Sequence, residues 1–348
     1  MWDKKDLEDK LKYLNELSKN TTDKKRKYEI FCNKYLIIEM LELLEGKKVT
    51  INSALSSLTR KLTLIKEKRQ YSNYECLSFD TLADDLNFSF ELSKNIALSA
   101  PFPKTETDKI LSKEECINEV INFATTLPDK ELRDNIISTV KDDKHIYIFN
   151  NIRDSFHLAD NYALSLFKES YIASPLMPDI LLHECIHTVD KKRNRYFIEN
   201  YPYSYEVPSY TLQLYQNFKE GNLNFLSELI TISKTTIFLA CKGNGMPYSN
   251  KMIENLNFSD IINKTDNIIE RLLTIKSILV AVIFTKKILD NEEEGLKEYK
   301  DMLNTSFSKN EIPDYSRWGI TNEVIIDYSK NLNKYFSEYQ RKRGGKSL

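Results

Sequence analysis

Glycine and proline are scarce in this chain, 8 and 9 among 348 residues. The long stretches between them carry apolar residues at three- and four-residue intervals, the period of a helix face. A mainly α protein with few strands is the expectation. Amphipathic helices are predicted near residues 4–18, 22–45, 50–69, 79–96, 113–126 and 129–141, several opening at an Asp, Ser or Thr that can cap free amides. Two short alternating runs, Lys144-His145-Ile146-Tyr147-Ile148-Phe149 and Tyr162-Ala163-Leu164-Ser165-Leu166-Phe167, are the strand candidates and form a small β element ahead of the next helix. That helix is predicted to start with Ser174 as cap and Pro175 in its first turn, and to run to about Asp190. Further helices are predicted near 207–219, 222–241, 259–290, 293–304 and 321–341. The chain shows no repeat of fixed period and no low-complexity linker.

The helix after the strands contains His183-Glu184-Cys185-Ile186-His187, which holds two of only 4 His in the chain. Residues four apart on a helix stack one turn above each other, about 6 Å along the axis, so both imidazoles reach one ion. Glu184, rotated to the flank, is left to handle protons. Cys185 points about 100° away from Glu184 and is expected to pack behind the helix.

Catalytic zinc takes three protein ligands and keeps a fourth position for water. Asp190 shares the helix face but lies roughly 10 Å along the axis from His183. It either orients His187 from outside the coordination sphere or faces solvent. Glu206, in Tyr201-Pro202-Tyr203-Ser204-Tyr205-Glu206-Val207-Pro208-Ser209-Tyr210, is the better third ligand: Pro208 fits a first helical turn, and a helix packing back antiparallel delivers the carboxylate. The other reading of Glu206 is a helix-start acid interacting with the dipole; Glu199 is a weaker substitute. Zn2+ held by His183, His187 and Glu206 retains positive charge, which lowers the pKa of bound water to around 7. Glu184 is then placed to take that proton and pass it on. Tyr203, Tyr205 and Tyr210 are the nearest phenols able to donate to an oxyanion, with packing as their alternative role. His145 and His157 either face the site from the strand region or have ordinary core or surface roles.

Charge and cysteines narrow the setting. Lys and Arg total 50 against 51 Asp and Glu, a net charge of -1, which offers no global attraction for nucleic acid or an anionic membrane. The 5 Cys are scattered, odd in number and free of CxxC spacing, as expected of reduced thiols in the cytoplasm. The longest apolar run, Ile278 to Phe284, is far short of the roughly 20 residues that cross a bilayer. The N-terminus has acidic residues and no apolar stretch, so no secretory signal is expected. The basic tail Arg341-Lys342-Arg343-Gly344-Gly345-Lys346 is read as a solvated terminus.

Beyond the shared motif, the chain resembles the thimet oligopeptidase and oligoendopeptidase F family of zinc metallopeptidases in three stretches. Tyr162 to Phe167, with Met177-Pro178-Asp179-Ile180-Leu181-Leu182 and the motif, is similar to the family's edge strand and active-site helix. Asn200 to Ser209 is similar to the segment that supplies its glutamate ligand. Ala281-Val282-Ile283-Phe284, Lys287-Ile288-Leu289, Glu294-Gly295, Tyr299, Leu303, Pro313 and Gly319-Ile320 resemble its C-terminal signature. The similarity covers roughly residues 145–325. It implies a two-lobed, zincin-like helical fold around a channel that admits short peptides; the six predicted N-terminal helices form a helical region at 1–142, ahead of a catalytic region at 143–348. It also implies hydrolysis of peptide bonds, with His183, His187 and Glu206 as zinc ligands and Glu184 as base. The chain departs from the family at Ile186, where Gly is usual, and at Asp190, where a further His is usual. It departs again at Glu270 to Ser277, where a His- and Tyr-rich stretch is expected and the chain reads Glu-Arg-Leu-Leu-Thr-Ile-Lys-Ser. Either another phenol substitutes, or the protein is a catalytically impaired, zinc-containing peptide-binding or regulatory protein. A helical structural protein without metal is the third reading. Oligomeric state is not legible in the sequence.

Overall fold

The computed structural model describes residues 4–20, 79–101, 111–141, 146–149, 163–166, 169–173, 177–193, 203–222, 226–260, 268–305 and 311–343, with the isolated positions 22, 34, 38, 41 and 307. Eleven α-helices lie among the described residues: α1 (Lys4–Asn20), α2 (Phe79–Ser99), α3 (Lys113–Thr125), α4 (Lys130–Val140), α5 (Pro178–Arg193), α6 (Glu206–Lys219), α7 (Ser227–Gly243), α8 (Asn250–Glu254), α9 (Ile268–Asp290), α10 (Glu292–Leu303) and α11 (Asn322–Arg343). Short 3-10 turns lie at Phe258–Asp260 and Ser316–Trp318. Between α4 and α5 are β1 (Ile146–Phe149), β2 (Ala163–Leu166) and β3 (Glu169–Ala173) in the order β1-β3-β2. β1 runs parallel to β3, with Ile146 opposite Ser170, and β2 antiparallel, with Ala163 opposite Ile172. Of the helices predicted at 22–45 and 50–69 only four positions are described, Thr22, which is not helical, and Lys34, Ile38 and Leu41, which are.

Local chemistry sets the helix ends. Ser112 caps α3 in a reciprocal box with Glu115, and Asp129 and Asn291 accept amides at the starts of α4 and α10, each satisfying donors that have no intrahelical partner. The motif helix starts at Pro178 rather than Pro175, because a proline disfavours α geometry at the residue before it and so breaks a helix at Met177. α7 begins at Ser227 rather than at 222. Gly221, at φ 80°, ends α6 in a left-handed turn, and the amides of Gly221 and Asn222 are spent on the carbonyls of Phe218 and Asn217. Of the predicted 259–290 helix, residues 259 and 260 lie in a 3-10 turn, and the α-helix is described from Ile268.

α9 is the central element. Leu272, Leu273, Ile275 and every residue from Ile278 to Phe284 are buried, and α2, α6, α7, α10 and α11 surround it. A helix apolar on all sides has to be enclosed in this way. Gly295 lets α10 approach closely: a Cβ there would lie 2.5 Å from Ile288 Cα. The core is continuous across residue 142, since Leu132 and Ile136 of α4 share a cluster with Leu181 and Cys185 of α5. Among the described residues no helix is long and apolar enough to cross a membrane.

Candidate metal centre

α5 and α6 lie antiparallel and meet along a polar seam. Its rungs are His187 with Ser209, His183 with Gln213, and Asp179 with Asn217. The seam follows from spacing: residues 179, 183 and 187 recur every four on α5, and 206, 209, 213 and 217 recur every three or four on α6, so each set lines one face.

Three donors converge in the seam. His183 Nε2 and His187 Nε2 are 3.0 Å apart, and Glu206 Oε2 lies 3.1 Å from the first and 3.2 Å from the second. A tetrahedral cation with bonds of about 2.0–2.1 Å holds its donors ~3.3 Å apart. Both imidazoles are buried, and Glu206 is nearly so. Two nitrogen lone pairs and one carboxylate at this separation, screened from water, form a group that can hold a metal ion. The opposite ring nitrogens are held from behind, His183 Nδ1 at 2.9 Å from Gln213 Oε1 and His187 Nδ1 at 3.0 Å from Ser209 Oγ. When each Nδ1–H donates to its oxygen, each Nε2 is left with its lone pair facing inward.

Glu206 reaches the seam because it opens α6. The turn before it is unusual: Tyr203 has φ 64°, a left-handed conformation that is rare for a bulky residue. Its carbonyl accepts from the Glu206 amide at 3.1 Å and from Ser277 Oγ at 2.9 Å. Thus the 270–277 stretch, which carries no His or Tyr, supplies a clamp on this turn. Its Lys276 also forms a buried ion pair with Asp85 of α2.

The electrostatics follow the geometry. Burial alone would lower the His183 pKa, but the hydrogen bond and charge of Glu206, backed by Glu184 and Glu228, push it up to about 9. Burial works against the Glu206 carboxylate, yet the charge of His187 and hydrogen bonds from both imidazoles hold it well below the usual carboxylate range. Glu184 is buried beside the donors, with Oε1 4.0 Å from His183 Nε2. The Tyr210 ring packs edge-on against His183 with centroids 4.7 Å apart, and its hydroxyl donates to Glu228 Oε1 at 3.1 Å. Desolvation, with the charge of Glu228, raises the Tyr210 phenol well above its ordinary value. Glu228, at the start of α7, keeps contact with solvent but is crowded enough that desolvation raises it too, against the opposing charge of His183. The Tyr205 ring is 6.0 Å from His187, and Tyr203 is one ring further out, stacked on Tyr205.

The structure therefore brings together His183, His187, Glu206, Glu184, Tyr210 and Tyr205. Cys185 Sγ turns away to the Ile136 carbonyl at 3.6 Å. The Asp190 side chain, Glu199, His145 and His157 lie outside what is described. Sequence reasoning missed Asp179, Ser209, Gln213, Asn217 and Glu228. The signal for the α6 residues was the recurrence of polar side chains at 206, 209, 213 and 217, a helical spacing; Glu228 offered none. No protein-family model, no curated protein and no solved structure matches the chain.

Proposed function

We propose that the chain is a zinc-dependent metallopeptidase of the cytoplasm that hydrolyses peptide bonds in short peptides, in a two-lobed zincin-like arrangement. The observation that carries the reading is the convergence of His183 Nε2, His187 Nε2 and Glu206 Oε2 within 3.0–3.2 Å, with Glu184 4.0 Å from His183 Nε2. His183, His187 and Glu206 hold the zinc. When bound, zinc supplies Lewis acidity for the substrate carbonyl and a nucleophilic water at neutral pH. Glu184, on the same helical turn as His183 but turned to its flank, takes the water's proton and delivers it to the leaving amine. Tyr210 stands against His183 and is the first choice for a phenol that donates to the oxyanion, with Tyr205 and Tyr203 behind it. Surrounding apolar helices keep bulk water from the buried ligands.

A second reading, a zinc-containing peptide-binding or regulatory protein with impaired hydrolysis, is favoured by two observations. The Tyr210 hydroxyl is already engaged by Glu228, and the 270–277 stretch contributes a clamp rather than substrate-facing phenols. Zinc content and cleavage of a diverse library of short peptides, followed by mass spectrometry, separate the readings. One zinc per chain with cleavage is expected. Glu184→Gln keeps the zinc and slows cleavage by roughly 10²- to 10⁴-fold. Zinc-loaded protein that cleaves nothing, with Glu184→Gln no different, establishes the binder, and protein that takes up no zinc removes both readings.

A further inference from the structure

The Gln213 amide faces two ways. Its Oε1 lies 2.9 Å from His183 Nδ1, and its Nε2 donates to Asp179 Oδ2 at 3.1 Å. The same Asp179 oxygen accepts from Asn217 Nδ2 at 3.1 Å. Gln213 and Asn217 are both buried, so their amides depend on protein partners.

An amide is nearly symmetric in shape but not in hydrogen bonding, since one end accepts and the other donates. Turned by 180°, Gln213 would present its NH2 to His183 Nδ1. In the neutral imidazole that a metal ion requires, Nδ1 would then carry the lone pair and Nε2 the proton, and a protonated nitrogen cannot bind a metal. Nothing in Gln213 itself prevents this. Asp179 does, because an ionised carboxylate only accepts: the Gln213 NH2 has to face Asp179 and the carbonyl has to face His183. Asn217 steadies the carboxylate from one turn further along α6.

We infer that Asp179 is a positioning residue for the metal centre, acting through Gln213 to keep His183 in the tautomer whose Nε2 accepts a cation. Asp179 lies one turn ahead of His183 on α5, so the helix that supplies the ligand also supplies the group that sets its protonation. His187 is the internal control: its Nδ1 bonds to Ser209 Oγ, outside the Asp179 and Gln213 pair. The inference rests on the metal-site reading alone and not on peptidase activity.

The test uses the full chain, zinc as probe, and three proteins: wild type, Asp179→Asn, and Asp179→Asn with Gln213→Glu. The asparagine of the single variant offers either end to Gln213 and loses the directing effect. The glutamate added in the double variant accepts at both oxygens and holds the Nδ1–H without help. Zinc affinity, measured by competition with a chelator, is expected to fall roughly 10- to 100-fold in Asp179→Asn and to return to within about threefold of wild type in the double variant. Ring ¹⁵N spectra of the zinc-loaded proteins, simple because there are 4 His, supply a readout that a general structural role would not move. The His183 Nδ1–H signal, sharp in wild type, is expected to broaden by water exchange in Asp179→Asn while the His187 signal stays. An unchanged affinity, a lost affinity with an unchanged His183 signal, or failure of Gln213→Glu to rescue overturns the relay. A wild type that binds no zinc overturns the site itself.

Discussion

Glu206→Gln tests the coupling at the centre of the site without needing an enzymatic assay. In the ion-free protein burial works against the charge on His183, but Glu206, backed by Glu184 and Glu228, raises it from its ordinary 6.5 to about 9, a net shift worth roughly 3 kcal/mol at about 1.4 kcal/mol per tenfold. The sign is fixed by linkage. A raised imidazole pKa means that the folded state binds a proton the unfolded chain has released, so the contribution is complete below pH 6.5, declines from 6.5 to 9 and is absent above. The low Glu206 pKa is the same interaction seen from its partner and adds nothing further. In Glu206→Gln the charge is gone and burial becomes the larger influence on His183, so this loss between pH 6.5 and 9 disappears or reverses. Urea unfolding of chelator-treated protein at about pH 6.5 and about pH 9.5 measures the effect. Wild type is expected to lose roughly 3 kcal/mol more over the interval than the variant, and other titrating groups cancel in that difference. Because the ion replaces this proton, wild-type zinc affinity should also rise about tenfold per pH unit below about pH 9. Equal pH dependence of stability in the two proteins would refute the coupling.

Tyr210→Phe keeps the ring against His183 and removes the hydroxyl; zinc content should be unchanged while the peptide cleavage proposed above slows roughly 10²- to 10³-fold, and an unchanged rate removes the phenol from that proposal. Ser277→Ala removes the bond to the Tyr203 carbonyl and should cost about 1 kcal/mol in urea unfolding, with weaker zinc binding as the Glu206 turn loosens. Gly295→Ala would gain about 1 kcal/mol from helix propensity, but its Cβ would meet backbone atoms of Ile288 at 2.5 and 2.6 Å. The clash should win, giving a net loss of about 1–3 kcal/mol; a stabilised variant would mean that α9 and α10 separate easily.

Much of the helical framework was legible because helix formation is governed by neighbours in sequence. Capping residues such as Ser112 and Asp129 and the periodic apolar residues placed several boundaries to within a residue or two. The errors have local causes that propensity did not weigh: the competition between Pro175 and Pro178, and the use of the Asn222 amide to close α6. The pairing of His183 with His187 was legible for the same reason, since four residues make a helical turn whatever surrounds it.

What the chain alone determined is the helical class, the His183–His187 pair and a short list of acids for its third partner. Tertiary structure decided which acid: Glu206 meets both imidazoles because α6 returns antiparallel along α5, and the direction of that return depends on Tyr203 held left-handed by Ser277, a residue 74 positions away. It also decided that Gln213, Ser209 and Asp179 stand behind the imidazoles. Spacing along one helix fixes which residues share a face, whereas the partner of that face is chosen by packing between segments distant in sequence.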